Sequence, residues 1–168
     1  MSLLIKNATL QDCDVISNIY ALSWKHAYKE IVPQKYLDEL KLDFWVPRFQ
    51  TWISDDSLKA CILYVENIPV GCVTYRNSRD EQLPDWGEIP SIYIHPDYYH
   101  KGYGKKLLTY ALDQLRIDGY TNCYLWVLSK NANAIKFYEK NGFIFNLDTC
   151  VCNIMDENLT ELRYVCSL

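Results

Sequence analysis

The sequence predicts an α/β domain, one mixed sheet with helices on its faces. Three observations carry the prediction. Residues 58–75 and 89–94 are β-branched and aromatic runs separated by turn-like breaks, which is strand chemistry. Two segments place apolar residues at helical spacing: Val15, Ile16, Ile19, Tyr20 and Trp24, then Leu107, Leu108, Ala111, Leu112 and Leu115. Residues 122–128 are apolar almost without interruption, the pattern of a strand buried on both faces.

In chain order, Leu3 to Lys6 reads as a short strand. Thr9 with Asp12 resembles a capping box, and the first helical face then runs to Ala27. Pro33 suits the first residue of a second helix through Tyr36, Leu37 and Leu40, and Asp43 suits the cap of a third over 44–53. Residues 58–65 and 70–75 read as an antiparallel pair joined by Glu66-Asn67-Ile68-Pro69. The stretch 77–85 is polar and reads as a loop. Ile89, Ile92, Tyr93 and Ile94 form the next strand, which His95-Pro96 stops because proline has no N–H for a ladder. Gly102 and Gly104 open a helix that leaves at Asp118-Gly119. After the strand at 122–128, Ser129-Lys130-Asn131 offers an N-cap, Ala134, Ile135 and Tyr138 line a helix, and Asn141-Gly142 ends it. Residues 143–151 and 161–167 read as two closing strands, giving the order β-αα(α)-βββ-α-β-α-ββ.

The 168 residues suit a single domain, 1–168, with a full-sized core and no internal repeat or linker. A net charge of −4 argues against general nucleic-acid binding. No apolar run has the length of a membrane span, and the start lacks the pattern of a signal peptide. Seven cysteines without a CxxC pair point away from a disulfide framework or a metal site and towards the cytoplasm. A redox role for Cys150-x-Cys152 is the minor reading.

A strand, a basic glycine loop and a helix start make a place to hold phosphates. First-turn N–H groups lack intrahelical partners, the dipole favours an anion, and glycines let a diphosphate approach the backbone. His100, Lys101, Lys105 and Lys106 add donors and charge. A tight turn with a solvated basic face is the competing reading. The spacing excludes a dinucleotide fingerprint, which needs glycine where Leu107 stands. It also excludes a nucleoside-triphosphatase loop, which needs glycine where Tyr99 stands.

The run Ile92-Tyr93-Ile94-His95-Pro96 before Gly102-x-Gly104, followed by Asn131-x-x-Ala134-x-x-Phe137-Tyr138-x-x-x-Gly142-Phe143, resembles the GNAT superfamily of acyl-CoA-dependent N-acyltransferases. The resemblance covers roughly the whole chain and is most specific over 88–145. It implies a mostly antiparallel central sheet of about seven strands, flanked by helices and with splayed central strands. It implies acetyl-CoA as acyl donor. The pantetheine arm would pair with the backbone of Ile92, Tyr93 and Ile94 like an added strand, and the amides of His100, Lys101, Gly102, Tyr103, Gly104 and Lys105 would hold the diphosphate. Asn131 matches a further cofactor contact. The family usually has Arg or Gln, then often Gly, where this chain has Tyr99 and His100, a departure that bears on affinity.

Acyl transfer needs an amine that has lost its proton, a donor that polarises the thioester carbonyl, and an acid for the departing thiolate. By resemblance Tyr138 is that acid, against the plainer reading of a core tyrosine. A backbone N–H near Ile92 to Ile94 would polarise the carbonyl. Glu88 matches a carboxylate that acts as base through water, and equally suits a strand-end ion pair. His95 is the weaker base candidate. Trp126 stands where protein-acetylating relatives often carry glutamate, so a small-molecule amine is favoured over a protein, with Trp126 shaping the acceptor pocket. Trp24, His26 and Tyr28 read singly as core packing; as a cluster, Trp24 and Tyr28 suit the acceptor-side wall. A catalytically silent acyl-CoA-binding module and a peptide acetyltransferase are the alternatives. Dimers are common in the family, so a homodimer is expected.

Overall fold

The computed structural model describes residues 2–168. The order is β1 (Leu3–Asn7), α1 (Cys13–Ala27), α2 (Gln34–Glu39), α3 (Val46–Ser54), β2 (Lys59–Val65), β3 (Ile68–Asn77) and β4 (Gly87–Ile94). Then come α4 (Tyr103–Ile117), β5 (Asn122–Leu128), α5 (Ala132–Lys140), β6 (Ile144–Ile154) and β7 (Glu157–Ser167). The seven strands form one sheet in the order β1-β2-β3-β4-β5-β7-β6. Every pairing is antiparallel except β4 with β5. No helix among the described residues is long and apolar enough to cross a membrane.

Strand alternation divides the core between the two faces. Cys61, Leu63, Val73, Leu125 and Val127 pack with Leu107, Leu108, Ala111 and Leu115 of α4 and with Tyr138 of α5. Ala60, Ile62 and Cys72 face the other way, against Ile16, Ile19 and Tyr20 of α1 and Phe49 of α3. Val32 and Leu37 cover the far end, against Leu128 and Leu159.

Several boundaries differ from the sequence expectation. Pro33 is the residue before α2, not its first. The third helix starts at Val46 with Trp45 as its cap, because the Asp43 carbonyl accepts the Val46 N–H in a turn and Pro47 fits the first helical turn. Strand β3 begins already at Ile68, since Glu66 and Asn67 both take positive φ and close a two-residue hairpin. The last two strands run further than their apolar runs, meeting at Met155-Asp156, because their ladder continues through polar pairs such as Asn153 with Asn158.

Two features of β4 shape the site. It pairs with β5 only at Gly87–Cys123 and Glu88–Tyr124, and beyond that point the strands part. It also carries a bulge against β3: Ser91 faces Thr74 and Glu88 faces Arg76, so Ile89 and Pro90 stand opposite Tyr75 alone. Proline, with no N–H to offer, suits that position.

Candidate active site

The parting of β4 and β5 leaves backbone groups of residues 89–94 without β5 partners. An extended ligand can add there as a strand does. The turn Pro96–Tyr98 leads from that edge to α4, capped by Gly102 at φ +78, with His100 also left-handed at φ +61. The first backbone bond into α4 is from Lys106 to the Gly102 carbonyl, so the N–H groups before it have no carbonyl partner within the helix. Gly104 faces Phe137 of α5 and Ile94 of β4, with an added Cβ 3.5 Å from the ring and 3.9 Å from Ile94 Cγ1. Lys105 and Lys106 are exposed at this mouth. Lys101 turns back, its Nζ donating to the Asp97 carbonyl at 3.2 Å and lying 4.8 Å from the Tyr98 ring centre.

Tyr99, where the family usually has Arg or Gln, packs its ring edge-on to His26 at the end of α1. It thereby ties the loop to α1 instead of offering a charge. Ser23 of α1 adds a second tie, donating to the Ile94 carbonyl at 2.8 Å. Asn131 caps α5, its Oδ1 accepting the Ala134 N–H at 3.2 Å.

Tyr138 of α5 is buried in the cluster against which Ile92 and Ile94 of β4 pack. Among the described residues its hydroxyl makes no hydrogen bond. Burial first, then Tyr28 and Cys123, push its pKa well above the usual phenol value. It therefore stays protonated at neutral pH. On the α1 side Tyr28, Trp24 and Tyr93 form one cluster. The Trp24 Nε1–H donates to the Tyr93 hydroxyl at 3.0 Å, and the Tyr28 and Tyr93 hydroxyls lie 3.2 Å apart. The Tyr93 side chain thus joins the two residues expected to wall the acceptor side, while its backbone lies on the strand expected to meet the cofactor.

Glu88 is 2 % exposed at the root of the opening. Arg79, from the loop 78–86, grips it: Nη2 donates to Oε1 at 2.5 Å, Nε to Oε2 at 3.0 Å, and the backbone N–H to Oε2 at 3.3 Å. The glutamate of this pair is buried and the arginine is exposed, so the expected strand-end ion pair forms at the edge of the interior, with its cation supplied by the polar loop. Trp126, half-buried on β5, stacks under the Arg163 guanidinium, 5.3 Å from the ring centre. Arg163 pairs with Asp80 and Asp148 and so fastens the same loop to β6 and β7.

Sequence reasoning missed Arg79, Arg163, Tyr124 and Ser91. Tyr124 accepts the Arg79 N–H at 3.3 Å, and Ser91 joins Thr74 at 2.6 Å and Tyr20 in a hydroxyl chain beside the bulge. The one local signal was strand period: Tyr124 shares a face with Trp126, and Ser91 with Tyr93.

A splayed parallel strand pair, a helix N-terminus at its mouth and a buried tyrosine in the cluster behind the same strand form the arrangement that the resemblance to acyl-CoA-dependent N-acyltransferases implies. Residues 21–143 match the Acetyltransferase (GNAT) family, and the chain belongs to it. Members of this family use acetyl-CoA as acyl donor. The chain is 27 % identical over 137 residues to the uncharacterized N-acetyltransferase YuaI of Bacillus subtilis, covering 80 % of this chain and 76 % of the relative. It is 24 % identical over 148 residues to a spermidine N(1)-acetyltransferase of Thermoplasma acidophilum, covering 85 % and 89 %. The fold matches that of the PaiA N-acetyltransferase of Thermoplasma acidophilum in complex with coenzyme A, with a TM-score of 0.74, 20 % identity and full coverage of both chains.

Proposed function

We propose that this enzyme acetylates a primary amine of a small molecule by direct attack in a ternary complex. The observation that carries the reading is Tyr138, a buried side chain in the cluster against which Ile92 and Ile94 of β4 pack, protonated and with a hydroxyl that makes no hydrogen bond among the described residues. Acetyl-CoA supplies an acyl thioester. The backbone of Ile92, Tyr93 and Ile94 holds its arm, and the amides of residues 100–105 hold its diphosphate at the start of α4. Asn131, fixed as a cap, keeps the start of α5 and hence Tyr138 in register with that edge. Tyr138 donates its proton to the leaving thiolate. Glu88 takes the amine proton through water, oriented by Arg79. Trp24, Tyr28 and Trp126 bound the acceptor side, and the relative named for spermidine supports a small amine over a peptide. Seven free thiols support a cytoplasmic setting, and the exposed Ile144, Leu147 and Val151 on edge strand β6 support a homodimer.

Tyr138→Phe tests the reading. We expect kcat to fall about 100-fold with acetyl-CoA affinity, by calorimetry, almost unchanged. An unchanged kcat removes Tyr138 as the acid. Binding without turnover on any amine makes the protein a silent acyl-CoA module, and turnover confined to peptides with free N-termini makes it a peptide acetyltransferase.

A further inference from the structure

A cleft of about 180 Å³ opens on the α1 side of the β4 bulge. Tyr20, Trp24, Trp52 and Tyr93 wall it, Thr74, Pro90 and Ser91 form its polar and bulged floor, and Arg76 and Arg79 stand at its rim. The charged groups among its lining residues are these two arginines, and both are cations.

No carboxylate is among the cleft's lining residues, although Arg76 also borders a neighbouring hollow lined by Asp56 and Asp118. Both Glu88 oxygens face Arg79. Asp80 and Asp148 are taken by Arg163. Glu161 lies on β7, receiving the Cys150 thiol, and does not line the cleft. Asp55 is held below its usual carboxylate range first by hydrogen bonds from Ser57, and only last by Arg76, with no ion pair between them.

The guanidinium donors are, by contrast, in surplus. A guanidinium has five N–H groups. Arg79 spends its Nε–H and one Nη2–H on Glu88, which leaves its outer edge, and its side chain is 57 % exposed. Arg76 uses only Nε, on the Asn77 carbonyl at 3.3 Å, and among the described residues it meets no carboxylate. Two guanidinium groups with unspent donors in the lining of an aromatic cleft are suited to a carboxylate, which such a group can bind through parallel hydrogen bonds.

We propose that the acceptor amine carries a carboxylate a few atoms from its nitrogen, as an α-amino acid does, and that Arg76, with the outer edge of Arg79, holds that carboxylate while the aromatic walls take an apolar side chain. The proposal rests on the acetyltransferase reading above and narrows its acceptor. A polyamine would instead bring further positive charge to a rim that already carries two cations. The cleft volume falls below the roughly 300–1,000 Å³ of drug-sized sites, which also favours an acceptor on the scale of one residue.

The test measures CoA release with acetyl-CoA and matched acceptors: phenylalanine, phenylalaninamide, phenethylamine, leucine, isoamylamine and spermidine. We expect kcat/KM for each amino acid to exceed that of its carboxylate-free partner at least tenfold. Arg76→Gln should cut that preference at least tenfold, mainly through KM for the acid, and Arg76→Lys should restore part of it by keeping the charge without the fork. Thermal melting of each variant confirms folding, and a melting shift of the wild type with phenylalanine but not phenethylamine gives a reading that needs no variant. Turnover of spermidine or phenethylamine with no preference for the acids overturns the carboxylate and leaves the acetyltransferase standing. A preference that Arg76→Gln does not change overturns the assignment of Arg76. Acetyl-CoA binding with no amine turned over removes both.

Discussion

At the scale of single residues, Arg163 decides whether the loop 78–86 stays on the sheet. Its side chain is 6 % exposed and meets Asp80 from the loop and Asp148 from β6, with Trp126 and Tyr124 rings beneath it. Its Nε, also buried, has no partner among the described residues, so the interaction depends on the two carboxylates. Removing one side of such a pair leaves uncompensated charge near the interior. Arg163→Ala should therefore lower stability by about 2–4 kcal/mol, less than a fully buried pair would because Asp148 is half exposed. It should also lower kcat/KM, since Arg79 loses the frame that seats its loop against Glu88 of β4. Urea unfolding and steady-state rates check both, and a variant of full stability would show that the network is incidental.

At the scale of elements, two glycines where strand and helix meet separate binding from folding. Gly71 of β3 lies under β4, and an added Cβ would be 2.5 Å from Ile94 Cδ1 and 2.9 Å from the Tyr93 carbonyl oxygen. Gly71→Ala should cost about 1–3 kcal/mol by overpacking and displace the strand edge proposed to hold acetyl-CoA. Gly104→Ala makes ordinary contacts with Phe137 and Ile94, so its melting temperature should stay within a few degrees. The same methyl narrows the passage between α4, α5 and β4, and acetyl-CoA affinity should fall about tenfold. Calorimetric titration beside thermal melting separates the two effects. Unchanged affinity in Gly104→Ala would move the cofactor away from this mouth.

At the scale of the whole molecule, the two cores hold titratable groups that fold best when neutral. Burial raises Cys72, Tyr20 and Tyr93 far above their usual values, and pushes Cys61 up to about 11. Each folded value lies above its unfolded one, so folding favours the protonated form. That contribution is complete below the ordinary thiol value near 9 and phenol value near 10, and is lost as pH rises through the folded values. The urea midpoint should thus show no loss from these groups between pH 7 and 8 and should fall steadily above about pH 9. A midpoint unchanged to pH 11 would mean that these hydroxyls and thiols reach water in the folded protein.

The sequence by itself determined the order of elements, the helix faces, the glycine loop before α4 and the family motif that led to Tyr138, because each depends on residues near one another in the chain. The local signals were strong enough to place 122–128 as a strand and Asn141-Gly142 as a helix end. Only the tertiary structure decided what surrounds the chemistry. Arg79 comes from a loop with no apolar period, and its role exists only because the fold brings that loop back against Glu88 of β4. Arg163 meets Asp80 across 83 residues of chain. Tyr99 lost a charge that the family motif leads one to expect and gained a packing partner, His26, from the first helix. Pairing across such distances is selected by burial and charge compensation in the folded state, and neither leaves a period in the sequence.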